Sequence, residues 1–154
     1  MQFILFAITY PIIWILSRLP MRILYMKSDF FYFLIYYVFR YRKQLVLDNL
    51  KLAFPEKPEV ELLRIRKKFF KHLMDLTMES IKAFSISEKE ILKRYTYSNP
   101  ELVNKYAAEG RSIALMAAHQ SNWEWSINLP RVLNIDMYGA YTKLNNTYYE
   151  KAVR

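Results

Sequence analysis

Hydrophobic and polar positions divide the chain into stretches of different periodicity. Residues 3–16 are almost wholly apolar and uncharged, and residues 30–39 form a second apolar run with four Phe and three Tyr. Residues 58–84 carry apolar side chains at close to helical spacing, which predicts one long amphipathic helix. Beyond residue 95, short apolar runs alternate with helical stretches and turn signals. The pattern therefore predicts helices first and a mixed region of strands and helices afterwards.

The C-terminal region contains three short apolar runs that predict strands, over residues 95–97, 112–117 and 135–141. The stretches between them have helical lengths, so successive strands are expected to lie parallel, with right-handed crossovers. In such sheets, ligands bind beyond the C-terminal ends of the strands. We therefore expect an α/β fold, in which N-terminal membrane-associated helices precede a helix-flanked, mainly parallel sheet.

Helix start and stop signals lie between the predicted strands. Asn99 and Pro100 supply an N-cap and a first-turn proline for a helix that ends at Gly110. Two further helices are predicted over residues 122–129 and from residue 147 onward.

The first two apolar runs indicate contact with a membrane. Residues 3–16 fall short of the roughly 20 residues of a spanning helix, and Pro11 would kink such a helix. Arg18 is the first basic residue, which by the positive-inside bias places the chain that follows it in the cytoplasm. The alternative is that both runs are core helices of a soluble domain. The uncharged run and an aromatic content of 17% favour the membrane. We predict membrane-anchoring or interfacial helices over residues 1–40 and a separate domain over residues 41–154.

Basic charge is concentrated in the same half of the chain. Residues 1–71 hold 13 Lys or Arg and 5 Asp or Glu, whereas residues 72–154 hold 10 and 9. Such a bias favours anionic lipid headgroups or an acidic protein partner. Nucleic acid is the alternative for any basic chain, but here the basic half is also the apolar half, so we expect no nucleic acid. The helix over residues 58–84 carries its own basic face, formed by Arg64, Lys67, Lys68 and Lys71.

Composition excludes several classes of site. The chain has no cysteine, so it has neither disulfides nor a Cys-based zinc site. Two glycines exclude a Walker loop and the three-glycine dinucleotide fingerprint. His72, Asp75 and Glu79 have a spacing that would suit a metal, but a surface histidine with helical neighbours is favoured. No motif indicates a metal or redox cofactor.

The run from His119 to Trp125, His-Gln-Ser-Asn-Trp-Glu-Trp, is the strongest candidate for chemistry. His119 follows a predicted strand, and Glu124 lies five positions later, just inside the next predicted helix. A carboxylate so placed can hold an imidazole in its basic tautomer, which suits acyl or phosphoryl transfer. The alternative is structural, because Ser121-x-x-Glu124 also has the form of a capping box.

These residues resemble a known family. His-x4-Glu with Asn-Trp-Glu-Trp inside it is similar to the catalytic block of the bacterial lipid A biosynthesis (late) acyltransferases. Residues 48–56 resemble the family's Asn-Leu…Phe-Pro-Glu block, and residues 141–146 its segment after the catalytic helix. The resemblance covers nearly the whole chain. The family is longer, so we expect this chain to be an N-terminal half with a truncated catalytic domain.

The resemblance implies a mechanism of direct acyl transfer. His119 would take the proton of a hydroxyl on a lipid A precursor, the alkoxide would attack the thioester of acyl-carrier protein, and Glu124 would stabilise the imidazolium. Asn122, Lys143 and Asn146 would contact the acceptor. The protein would lie at the bacterial inner membrane with its catalytic part facing the cytoplasm, and it would need no cofactor.

Two alternatives and one departure accompany the resemblance. The chain could acylate another lipid, such as a lysophospholipid or an aminolipid, or it could be an inactive membrane-binding fragment. The family usually has glycine where this chain has Ser121. We therefore expect either φ < 0 at this position or some backbone strain.

Overall fold

The computed structural model describes residues 1–118, 120–133 and 135–153. Within them the chain forms seven α-helices, a π-helical segment that continues α2, and a 3₁₀ helix between α6 and α7. The α-helices are α1 (Gln2–Ser17), α2 (Met21–Phe33), α3 (Lys43–Ala53), α4 (Glu59–Ala83), α5 (Glu88–Arg94), α6 (Pro100–Ala108) and α7 (Thr147–Val153). The π-helical segment is Leu34–Val38 and the 3₁₀ helix is Trp123–Arg131.

The prediction of an α/β fold with a helix-flanked, mainly parallel sheet is wrong. The described residues contain no strand, and residues 112–117 and 136–141 run as irregular, mostly exposed chain. A strand needs neighbours to complete its ladder of hydrogen bonds, and a buried backbone without such partners is costly. An apolar run is a local feature of the sequence, whereas a ladder of hydrogen bonds joins distant segments. These runs have the composition of strands, but in the described residues they do not pair into a sheet.

The predicted helices form close to their predicted positions. Residues 58–84 become α4, and residues 3–16 become α1, which continues through Pro11. Helix α6 has Asn99 at its N-cap and Pro100 as its first residue. It ends before Gly110, whose φ of +72° is a left-handed conformation that glycine adopts without steric cost. These boundaries depend on local chemistry.

The chain divides into two packing units, of which the second is Leu19–Lys82. Its core is formed by buried apolar side chains from α2, the π-helical segment, α3 and α4, namely Leu24, Tyr36, Leu47, Leu62, Phe70, Met74 and Met78. Two hydroxyl–carboxylate hydrogen bonds join α2 to α4. The Tyr25 hydroxyl donates to Glu79 Oε1 at 2.6 Å, and the Ser28 hydroxyl donates to Asp75 Oδ1 at 2.5 Å.

The first unit combines Met1–Arg18 with Ala83–Arg154. Aromatic rings join α1 to α7, because Phe6 contacts Tyr148 and Tyr149 at centroid distances of 5.7 and 5.2 Å. The opposite face of α1 is apolar and exposed, and it consists of Ile4, Leu5, Ile8, Ile12 and Ile15. In the described part of the chain, no helix has both the length and the hydropathy to cross a membrane. The boundary at residue 40 concerns membrane contact and stays a prediction.

Candidate active site

The 3₁₀ helix sets which side chains of the Asn-Trp-Glu-Trp motif face solvent. With three residues per turn, side chains at i and i+3 eclipse one another. Asn122, Trp125 and Asn128 are accordingly buried, whereas Glu124 and Ile127 are exposed. The Glu124 carboxylate therefore points away from the core. His119 lies outside the described residues, so its predicted pairing with Glu124 stays a prediction.

The 3₁₀ helix is held by contacts on its buried side. The Asn128 amide donates to the carbonyl of Trp125 at 3.0 Å, and the Tyr97 hydroxyl donates to the carbonyl of Ser126 at 3.2 Å. Burial, with a smaller contribution from the neighbouring Tyr95, raises the pKa of Tyr97 to about 12. These contacts fix the backbone on either side of Glu124.

The end of the 3₁₀ helix is tied to α5 by an ion pair. The Arg131 guanidinium lies 2.8 Å from the Glu88 carboxylate. Both side chains are about half exposed, so this pair positions the element more than it stabilises the protein.

Ser121 adopts the strained conformation that was one of the two expected outcomes. Its φ is +49°, a left-handed value that costs a non-glycine residue about 1–2 kcal/mol. The N-cap of the 3₁₀ helix is Asn122, which makes no side-chain cap hydrogen bond. Within the described residues, Ser121 and Glu124 therefore form no capping box.

The three predicted acceptor contacts lie in different environments. Asn122 is buried at the start of the 3₁₀ helix, and Lys143 is exposed. The Asn146 side chain caps α7, since its Oδ1 accepts from the backbone N–H of Tyr148 at 3.0 Å. Its Nδ2 donates to the carbonyl of Gln2 at 3.1 Å. Within the described residues, no hydrogen bond or ion pair joins Lys143 or Asn146 to Glu124.

One residue of this unit was missed by the sequence reasoning. Glu150 is only 4% exposed, and its carboxylate accepts hydrogen bonds from the Tyr141 hydroxyl at 2.5 Å and the Leu144 N–H at 3.0 Å. It thereby holds the segment that precedes α7. Nothing in the local pattern distinguishes Glu150 from a surface glutamate, because its partners are set by the path of the loop.

The Phe-Pro-Glu block forms the turn between α3 and α4. A shallow cavity of about 310 Å³ at this turn is lined by Lys51, Phe54, Pro55, Lys57, Glu59 and Leu62. The Lys57 ammonium donates a hydrogen bond to the Glu61 carboxylate at 2.6 Å, and this ion pair lowers the pKa of Glu61. None of the predicted site residues lines this cavity.

Two carboxylates of α4 join it to α2, whereas its histidine faces solvent. His72 is exposed, whereas Asp75 and Glu79 accept hydrogen bonds from hydroxyls of α2. Within the described residues, no group of three His, Cys, Asp or Glu side chains is placed to hold a metal ion.

A comparison with protein families identifies the family of the chain. The model of the bacterial lipid A biosynthesis acyltransferases matches residues 2–152, which include both the Phe-Pro-Glu block and the Asn-Trp-Glu-Trp motif. The chain belongs to this family. Membership implies acyltransferase activity and a lipid acceptor. The searches of curated proteins and of solved structures found no match.

Proposed function

We propose that this family member transfers a fatty acyl chain from acyl-carrier protein to a hydroxyl of a lipid A precursor at the inner membrane. The observation that carries the proposal is the family match over residues 2–152. In the proposed reaction, His119 takes the proton of the acceptor hydroxyl. The alkoxide attacks the thioester carbonyl, a C–O bond forms and the C–S bond breaks. The leaving thiolate takes the proton back from the imidazolium.

Glu124 is proposed to stabilise the imidazolium as its charge develops. The exposed position of its carboxylate supports this role, because Glu124 makes no ion pair within the described residues and no capping box occupies it. A positioned acid–base pair of this kind accelerates reactions by about 10²–10⁴-fold. We propose Asn122 and Lys143 as acceptor contacts. Asn146 is proposed as a third, alongside its cap of α7.

Attachment to the membrane is proposed through the exposed face of α1. Sixteen residues at about 1.5 Å per residue give α1 a length of about 24 Å, short of the roughly 30 Å hydrocarbon core. The apolar side chains of this face are therefore proposed to lie in the interface, with the catalytic part on the cytoplasmic side. Ile8 and Ile12, exposed at 60% and 53%, are at the centre of the face.

The acyl donor is proposed to dock on the basic face of α4. Arg64, Lys67 and Lys68 are exposed there, and an acidic carrier complements their charge. Lys71, on the same face, forms an ion pair of 3.0 Å with Asp29, which raises the pKa of the lysine.

The decisive experiment measures acyl transfer by the full chain, with acyl-carrier protein thioester as donor and purified lipid A precursor as acceptor. We expect His119→Ala and Glu124→Gln each to lower kcat by about 10²-fold or more. The KM for the donor should change little, since the lost interactions belong to the transition state.

Each variant has a matched control in the chain. His72→Ala removes the other histidine, and Glu101→Gln removes another exposed glutamate from the first turn of a helix. Both controls should keep most of the parent's activity. Transfer by His119→Ala above about a tenth of the parent's rate would refute the general-base role. Acylation of a lysophospholipid or aminolipid instead would favour the alternative acceptors, and no transfer by the parent would favour the inactive membrane-binding module.

A further inference from the structure

Two cations of the second unit converge on one buried ring. Tyr36, in the π-helical segment, is only 2% exposed. The Lys43 ammonium, at the start of α3, lies 4.0 Å from the centroid of this ring. The Arg66 guanidinium, on α4, donates to the Tyr36 hydroxyl through Nε at 3.4 Å and Nη2 at 3.3 Å. Three separate elements thus bring two positive charges to the same aromatic side chain.

In the part of the chain that the structure describes, no carboxylate pairs with either cation. Within the described residues, neither Lys43 nor Arg66 forms an ion pair, and the remaining bond of Arg66 goes to the carbonyl of Lys43 at 3.4 Å. The acidic side chains of α2 and α3 are engaged elsewhere. Asp29 pairs with Lys71, and Asp48 accepts a hydrogen bond from Gln44 at 2.8 Å. An anion beside Tyr36 would offset the positive charge that Lys43 and Arg66 bring to this ring.

The turn beside this pair adds two more cations at a conformational cost. Arg40 and Arg42 have φ values of +50° and +49° and are exposed. Glycine would adopt this conformation without the steric penalty of about 1–2 kcal/mol that each arginine bears. Strain of this kind concentrates at functional sites. Here it brings two guanidinium groups to the turn that leads into α3.

Exposed aromatic side chains adjoin the cations in sequence and continue the surface of α2. Phe30, Phe33, Tyr37 and Phe39 are 59%, 53%, 47% and 69% exposed. The first three recur at helical spacing and therefore share one face of α2 and its π-helical continuation. Aromatic rings next to Lys and Arg are the combination that binds at a bilayer surface, with the rings at headgroup depth and the cations on anionic lipid.

We propose that Lys43 and Arg66 bind the phosphate of an anionic phospholipid headgroup, with Arg40 and Arg42 at its rim and the exposed rings of α2 in the interface. The site makes the proposed membrane attachment selective for anionic lipid, and it rests on that attachment. Its residues are not among those proposed for acyl transfer, so a change here is expected to alter lipid preference and to leave the chemical step in detergent unaffected.

The test compares binding of the full chain to vesicles of phosphatidylglycerol and of phosphatidylcholine by co-sedimentation. We expect the parent to prefer phosphatidylglycerol. Each neutralised cation should weaken that binding about five-fold, so Lys43→Gln with Arg66→Gln should lose about 25-fold. Binding to phosphatidylcholine should stay as in the parent. Because Arg66 also supports the fold, Arg40→Gln with Arg42→Gln is the second variant, and it should lose a comparable factor.

The control pair removes the same charge from the exposed surface of α4, by Lys67→Gln with Lys68→Gln. Equal loss in this control would overturn the site, since the binding would then be diffuse. Inorganic phosphate is the second control. If millimolar phosphate abolishes vesicle binding, Lys43 and Arg66 bind free phosphate, and the lipid assignment is overturned. Equal binding of the parent to both lipids would overturn the site alone, whereas no binding to either would overturn the attachment as well. Acyl transfer in detergent tests the proposed function independently.

Discussion

Ser121 carries the clearest local strain of the candidate active site. Its φ of +49° lies where a side chain crowds the backbone, and glycine has no such penalty. We expect Ser121→Gly to raise the free energy of unfolding by about 0.5–1 kcal/mol, because relief of strain exceeds the extra entropy of the unfolded chain. Denaturant unfolding measures the change.

The matched control is Ser112→Gly, at an exposed position in irregular chain where φ is not positive. Glycine at position 112 should not raise the free energy of unfolding. A Ser121→Gly variant that is less stable than the parent would show that the serine side chain contributes more than the strain removes.

The titration of Tyr97 makes the free energy of unfolding depend on pH in the alkaline range. Its pKa of about 12 in the folded chain exceeds the ordinary value of 10.0, because burial disfavours the phenolate. A pKa raised by folding contributes stability that is present below pH 10 and is lost as the pH rises to about 12. We expect the free energy of unfolding to fall across this window.

The Tyr97→Phe variant separates this titration from other alkaline effects. At neutral pH it loses the hydrogen bond to the Ser126 carbonyl and should be less stable than the parent by about 1 kcal/mol. Above pH 11 the gap should close or reverse, since phenylalanine does not ionise. A constant gap from pH 7 to pH 12 would contradict the role of Tyr97.

At the scale of one element, the 3₁₀ helix separates two tryptophans of the same motif. Trp125 is 4% exposed and Trp123 is 45% exposed. We expect Trp125→Ala to cost about 3–5 kcal/mol, the usual loss for a large buried aromatic side chain. Trp123→Ala should cost about 1 kcal/mol or less.

Thermal or denaturant unfolding of the two variants measures this difference directly. The pair is its own control, because both substitutions remove the same side chain two positions apart. Equal losses would contradict the different burial of the two tryptophans, and the exposed position of Glu124 would then need another explanation.

At the scale of the whole molecule, α1 presents one face to its own unit and the other to its surroundings. Lysine at Ile8 and Ile12 would charge the exposed face and leave the contacts of Phe6 and Tyr10 in place. We expect Ile8→Lys with Ile12→Lys to release much of the protein from phosphatidylcholine vesicles, because each charge would have to leave water. The melting temperature should change little.

Val60→Lys is the control for α1, since Val60 is 80% exposed on α4 and lies in the other unit. It should leave the binding unchanged. Undiminished binding by the α1 variant would show that the exposed face of α1 does not carry the attachment.

Local chemistry accounts for the parts of this protein that sequence reasoning predicted correctly. Pro100 at the start of α6, Gly110 after its end and the helical spacing in α4 act over one or two turns of chain. The resemblance to the family also rests on residues adjacent in sequence, and the family match over residues 2–152 bears out the resemblance. The strain at Ser121 was foreseen as one of two outcomes for the same reason.

Tertiary structure alone decided the rest. Residues 112–117 have the composition of a strand, but a strand requires partners elsewhere in the chain, and the described residues supply none. The buried position of Glu150 depends on the loop that brings Tyr141 and Leu144 to its carboxylate. Lys43 and Arg66 are 23 positions apart and meet at Tyr36 only because α3 and α4 pack against the same π-helical segment. Periodicity and capping act between neighbours in sequence, whereas ladders, buried carboxylates and charge clusters arise between distant residues that packing brings together.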